Sequence, residues 1–254
     1  MDCARIRYGR GKVMSVEAIQ PAPQELSEQY EDLAQQNEAY VVGMWAFLVT
    51  EIMFFGALFL AYIVYRTAYP EVFRDAHHHL DVVLGTINTT VLLTSSLFMA
   101  LAVHAAQLGR KKAQNRWLFL VMLCALTFLV IKGIEYHNKY VEHLIPGSSF
   151  QYHSVAEGEG GQAPRMSAET GFAVPQSIPR DKAQMFFVLY FCMTGLHGIH
   201  VVIGLIVMAV LAWLTSRNSP LVRDYMPVEM AGLYWHFVDI VWIFLFPLFY
   251  LIPK

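Results

Sequence analysis

Residues 183–214 read AQMFFVLYFCMTGLHGIHVVIGLIVMAVLAWL, 32 residues without one Asp, Glu, Lys or Arg. The hydrocarbon core of a bilayer is about 30 Å thick and takes roughly 20 apolar residues per helix. This stretch spans it, with residues left for tilt or a protruding end. Four further runs have the same character: 41–65, 82–106, 117–137 and 230–253. Together the five make up half of the 254-residue chain. Of its 18 basic and 20 acidic residues, only Glu51, Lys132, Glu135 and Asp239 fall inside them. Charged residues are 15% of the chain, against about 25% in a soluble domain. This segregation excludes a soluble globule, a disordered chain and a nucleic-acid binder. Inside lipid every backbone polar group is paired within its own element, which leaves helices or closed barrels. Barrel strands are about ten residues long and alternate apolar with polar; these runs are continuous. The fold class is an all-α membrane protein with five transmembrane helices in a bundle.

The loops set the orientation. Residues 107–116 carry Arg110, Lys111, Lys112 and Arg116 and no acid, and short basic loops stay inside. Arg217 and Arg223 in 215–229 add to the same side. The N-terminus is therefore expected inside and the C-terminus outside. Residues 1–40 form a polar N-terminal segment and 41–254 the transmembrane domain. Within the first, Leu26, Tyr30 and Leu33 recur at helical spacing, which suggests a short amphipathic helix over 24–38. No apolar core of signal-peptide length occurs in the first 40 residues, and Met14 offers an alternative start. The loop 66–81 holds His77, His78 and His79, which reads as a solvated loop before a metal site. The long external loop 139–182, rich in Gly and Pro, reads as an excursion. Cys3, Cys124 and Cys192 form no C-x-x-C pair, and no disulfide framework is expected.

Ionisable side chains at mid-bilayer cost about 2.5–3.5 kcal/mol each on insertion scales, so those present carry information. Glu51 lies roughly 15 Å into its span at 1.5 Å per residue, and reads as a proton-handling group or a contact to lipid or a partner. Lys132 and Glu135, three apart, share a helix face. Their position near the outer boundary favours an interfacial ion pair with a snorkelling lysine, with Glu135 as a helix–helix contact the other reading. His197 and His200 share a face among Gly195, Gly198 and Gly204. One helix supplies at most two ligands from H-x-x-H, so interhelical hydrogen bonding outweighs a haem or metal. His236 and Asp239 are again three apart, each the local partner of the other. Asn88, with Thr89, Thr90, Thr94, Ser95 and Ser96, makes the second span polar on one side, as residues that bind neighbouring helices do. The chain has no Walker motif, no G-x-G-x-x-G before a helix, no H-E-x-x-H and no C-x-x-C-H.

These residues carry a family resemblance. TEIMFFGALF with Glu51, LGTINTTVLLTSS with Asn88, AVHAAQLGRKKA, the EY of KGIEYHNK, TGLHGIHVVIG and VEMAGLYWHFVDIVW stand in one order across residues 41–252. In these the sequence resembles subunit III of haem–copper cytochrome c oxidases, in the short five-helix bacterial form. The resemblance implies a subunit without haem or copper of its own, packed on catalytic subunit I beside subunit II. The haems and copper are expected in subunits I and II. It implies bound phospholipid, support of proton uptake and stable turnover, and a bacterial inner membrane. Cytochrome c or a respiratory supercomplex is a further possible partner on the external side. By carry-over, Glu51 matches the family's membrane-buried glutamate, linked to a lipid-filled cleft. Glu229, His236 and Asp239 match the last motif, and His197 and His200 the helix before it. In the long form two leading helices close that cleft; here about 40 polar residues stand in their place. The alternatives are a quinol oxidase subunit, a nitric-oxide reductase accessory chain, an independent proton-coupled transporter and a haem b anchor.

Overall fold

The computed structural model describes residues 29–77, 80–146, 180–219, 222 and 224–251. Among these all regular structure is helical, in six helices: α1 Leu33–Ala68, α2 Pro70–Ala76, α3 Val82–Gln107, α4 Lys111–Val141, α5 Arg180–Ser216 and α6 Met226–Tyr250. Five are long and apolar enough to cross a membrane. They include the expected spans 41–65, 82–106, 117–137 and 183–214, with α4 longer at both ends than the run 117–137; α6 ends at Tyr250, short of the expected 253.

Local chemistry sets the helix ends. Asp32 caps α1 by accepting from the Gln35 N–H at 2.7 Å. Residues 33–38 thus open the first membrane helix rather than closing a separate surface helix, and Leu26 lies outside the described residues. Asp81 caps α3, accepting from the Val83 and Leu84 N–H groups. Three helices stop in one way. Past α3, Gly109 at φ 66° lets its N–H reach the Ala106 carbonyl while the Arg110 N–H reaches Ala105. This is the Schellman arrangement. His143 ends α4 and Asn218 ends α5 with the same pair of bonds, at a backbone conformation that histidine and asparagine tolerate better than most.

The segment 66–81 is not a simple loop. It folds into α2, with Pro70 in its first turn, and buries Val72, Phe73 and Ala76. The Phe73 ring meets Tyr62 of α1 at 5.2 Å and Phe186 of α5 at 5.1 Å, both edge-on. His77 is buried, its Nδ1 2.6 Å from the Arg74 carbonyl; His78 and His79 lie outside the described residues. The readings of 1–28 and most of 139–182 also fall there.

The bundle has two ends. The basic α3–α4 turn, the start of α1 and the start of α6 lie at one, and α2 lies at the other. α3 packs along α4 and α6, and α5 along α4 and α6, so α6 is central and buries both Trp235 and Trp242 completely. Side-chain size decides the closest approach: a Cβ at Gly204 of α5 would stand 2.8 Å from the Trp235 ring. α1 is peripheral, touching α6, α5 and α2. Its apolar Val42, Met53, Leu60 and Val64 are exposed, the expected state of a lipid-facing or partner-facing surface.

Candidate functional site

The polar side chains inside the spans form three groups. The first links α1 to the bundle. Glu51 Oε2 lies 3.1 Å from His200 Nε2 on α5, and both side chains are largely buried. His200 Nδ1 lies 2.8 Å from the Leu196 carbonyl, which only accepts, so Nδ1 carries hydrogen. Nε2 then either accepts from a protonated Glu51 or donates to its carboxylate as part of an imidazolium. Tyr234 of α6 donates to the His200 carbonyl at 3.0 Å, and Phe55 packs edge-on against the imidazole at 5.2 Å.

The second group joins α4, α5 and α6 near the α2 end. Lys132 Nζ donates to Glu135 Oε2 at 3.0 Å and to the Tyr250 hydroxyl at 2.6 Å. The Tyr190 and Tyr250 hydroxyls both donate to Glu135 Oε1, Tyr190 at 2.7 Å. Lys132 is 8% exposed and Glu135 2%. The interfacial, snorkelling lysine is overturned: Lys132 turns inward, its ammonium 4.7 Å from the Trp242 ring. Nothing in the sequence marks Tyr190 or Tyr250 as a partner of Glu135.

The third group runs along α3 and α6. Thr89 accepts from Trp242 Nε1 at 3.1 Å and Ser95 from Trp235 Nε1 at 2.8 Å. Ser96 Oγ lies 2.7 Å from His236 Nδ1. His236 and Asp239 are therefore not each other's partners. Ser96 takes the histidine, and Asp239 lies against Ser96 without a well-formed hydrogen bond. Asn88 and His197 are buried with no hydrogen-bond partner among the described residues. His197 packs between Phe128 and Trp242, at 5.6 and 5.2 Å, so it and His200 part ways despite their shared spacing. Glu229 sits partly buried in the first turn of α6, where the helix dipole favours a carboxylate. With burial and Asp224, it raises Tyr225 above its ordinary value.

Two hollows flank these groups. Between α1 and α6 lies an apolar groove of 440 Å³, whose lining includes Trp45, Ile52, Phe59, His236, Ile240 and Phe244. At the α2 end a polar cavity of 320 Å³ is bordered by Asp81, Glu135, Asn138, Lys139 and Glu142.

Five membrane helices clasped by buried polar groups define a polytopic membrane protein, and the comparisons give its family. Residues 179–253 match the family described as "Cytochrome c oxidase subunit III". A relative from Pseudomonas aeruginosa, "Cytochrome bo(3) ubiquinol oxidase subunit 3", is 30% identical over 83% of this chain and 84% of its own length. "Cytochrome c oxidase subunit 3" of Corynebacterium diphtheriae is 28% identical over 83% and 87%, and that of Thermostichus vulcanus 25% over 84% and 88%. The chain belongs to the subunit III family of haem–copper oxidases.

Proposed function

We propose that the chain is the non-redox subunit III of a cytochrome c oxidase in a bacterial inner membrane. It packs on subunits I and II, which carry the haems and copper. It supports proton uptake and sustained turnover there, with its N-terminus and basic α3–α4 turn inside. The observation that carries this reading is the Glu51–His200 pair. A carboxyl and an imidazole within hydrogen-bond distance at the edge of the bundle hold the peripheral α1 and remain next to whatever lies beside it. The apolar groove between α1 and α6 takes phospholipid acyl chains, with a wall of hydrocarbon and almost no polar surface. Two leading helices are not needed to form it, because α1 and α6 supply both sides.

The electron donor has two readings. Relatives from Corynebacterium diphtheriae and Thermostichus vulcanus carry the cytochrome c oxidase name, while that from Pseudomonas aeruginosa carries the ubiquinol oxidase name. Purification of the native complex decides between them. The co-purifying subunits are identified by mass spectrometry, and oxygen uptake is measured with reduced cytochrome c and with ubiquinol. Uptake from cytochrome c with a copper-bearing subunit II supports the proposal. Uptake from quinol alone moves the chain to the other host. Substrate transport by the purified chain in liposomes, with no oxidase subunits, defeats both.

A further inference from the structure

Asn88 on α3, His197 on α5 and Asp239 on α6 are 0%, 1% and 3% exposed. Both side-chain polar atoms of each lack a hydrogen bond among the described residues. Such buried groups are rare in folded proteins, and an ordered water is a common reason for one. Paired contacts fix where the three stand. Thr89 meets Trp242, and Phe128 meets both Trp242 and His197. Asn88, Phe128, His197 and Trp242 therefore share one level of the bundle. Asp239, three residues before Trp242, lies about one turn nearer the basic end, against Ser96 and so beside the Ser96–His236 bond.

On the other side of that level stand Lys132, Glu135, Tyr190 and Tyr250. Lys132 lies against the same Trp242 ring that His197 touches. Glu135 belongs both to this cluster and to the wall of the polar cavity at the α2 end. Polar groups thus recur at each turn, from the cavity, through Glu135 and Lys132, to Asn88 and His197, and on to Asp239 and Ser96.

We infer that this column holds internal water, admitted from the cavity bordered by Asp81, Asn138 and Glu142 and bound by Asn88, His197 and Asp239. A buried water needs two to four polar partners, and these three side chains offer six unpaired atoms. The chemistry suits water. A neutral imidazole presents one donor and one acceptor, and a carboxamide presents both. No group of three or more His, Cys, Asp or Glu among the described residues is placed to hold a metal ion. The column gives the subunit a wet interior on the side of the bundle away from α1, separate from the Glu51–His200 pair.

The test is X-ray radiolytic footprinting of the intact complex in ¹⁸O water, read by mass spectrometry. Radicals formed from a bound water oxidise its neighbours even where bulk solvent does not reach. Tyr190 and Tyr62 are equally buried, but only Tyr190 borders the column. Tyr190 is expected to gain ¹⁸O several-fold faster than Tyr62, and the fully buried Trp242 is expected to be labelled. Replacing Asn88→Leu, His197→Phe and Asp239→Leu together is expected to abolish labelling at Trp242. An Asn138→Cys variant carrying a bulky maleimide is expected to delay arrival of ¹⁸O at Trp242 after rapid mixing. Labelling of Tyr190 no faster than Tyr62, or of Tyr190 without Trp242, overturns the inference in the native complex alone, whether or not the variants assemble. Undelayed arrival past the maleimide overturns the entry route.

Discussion

His200 Nε2 on α5 lies 3.1 Å from Glu51 Oε2 on α1, while the other ring nitrogen is held by the Leu196 carbonyl. The imidazole cannot rotate to another partner without breaking both bonds, so the carboxyl of the most loosely packed helix is tied to a fixed point in the bundle. A glutamine at 51 can still donate to Nε2, but it cannot exchange a proton. Glu51→Gln is therefore expected to leave assembly and haem content of the complex intact while sustained turnover falls. Glu51→Ala and His200→Ala also lose the hydrogen bond, worth about 0.5–1.5 kcal/mol between neutral groups and about 1.5–3 kcal/mol where one partner is ionised, and are expected to lower the thermal midpoint. Extended turnover of Glu51→Gln equal to wild type would reduce the pair to a structural clasp.

The Lys132–Glu135 pair is expected to behave as a unit. Glu135→Ala strands a buried ammonium, and breaking such a pair costs about 3–5 kcal/mol. Replacing both, Lys132→Met with Glu135→Leu, removes the stranded charge and is expected to recover most of that loss. A double-mutant cycle on thermal unfolding of the detergent-solubilised complex checks this. Equal damage from the single and double variants would mean that the two tyrosine hydroxyls, not the charges, carry the cluster.

Gly204 faces the Trp235 ring at a distance that leaves no room for a methyl group. Trp235 is fully buried and pinned by Ser95, so it cannot swing aside. Gly204→Ala is expected to cost about 1–3 kcal/mol through overpacking, whereas Gly198→Ala, with open space around it, is expected to gain about 0.5–1 kcal/mol of helix propensity. Comparing the thermal midpoints of the two variants separates packing from helix propensity, since both gain the same propensity.

The indole bonds hold α3 to α6. Thr89→Val and Ser95→Ala each leave a buried Trp N–H without an acceptor, at about 1–3 kcal/mol. The effects are expected to add, because the two indoles lie about two turns apart on α6. Tryptophan fluorescence of the solubilised complex, read with its unfolding midpoint, follows both changes.

The helices were legible in the sequence because spanning a bilayer is a local demand. A run of about 20 apolar residues must pair its own backbone, and no distant residue alters that. The order of motifs was also enough for the family. The same reasoning missed α2, since PEVFRDA is short and three of its 7 residues are charged, and its helix is stabilised by rings on α1 and α5. It also failed for the partners of the buried polar groups. Spacing of three along a helix says which side chains share a face, but not which helix that face meets. Glu51 and His200 are 149 residues apart, Glu135 and Tyr250 115, Ser96 and His236 140. By itself, then, the amino-acid order determined a five-helix membrane subunit with costly polar groups inside it. Only the packing decided that Lys132 is interior, that His236 belongs to Ser96, and that Asn88, His197 and Asp239 have no well-formed hydrogen bond among the described residues. A buried side chain takes its partner from the helix it is pressed against, and that neighbour is set by the whole bundle.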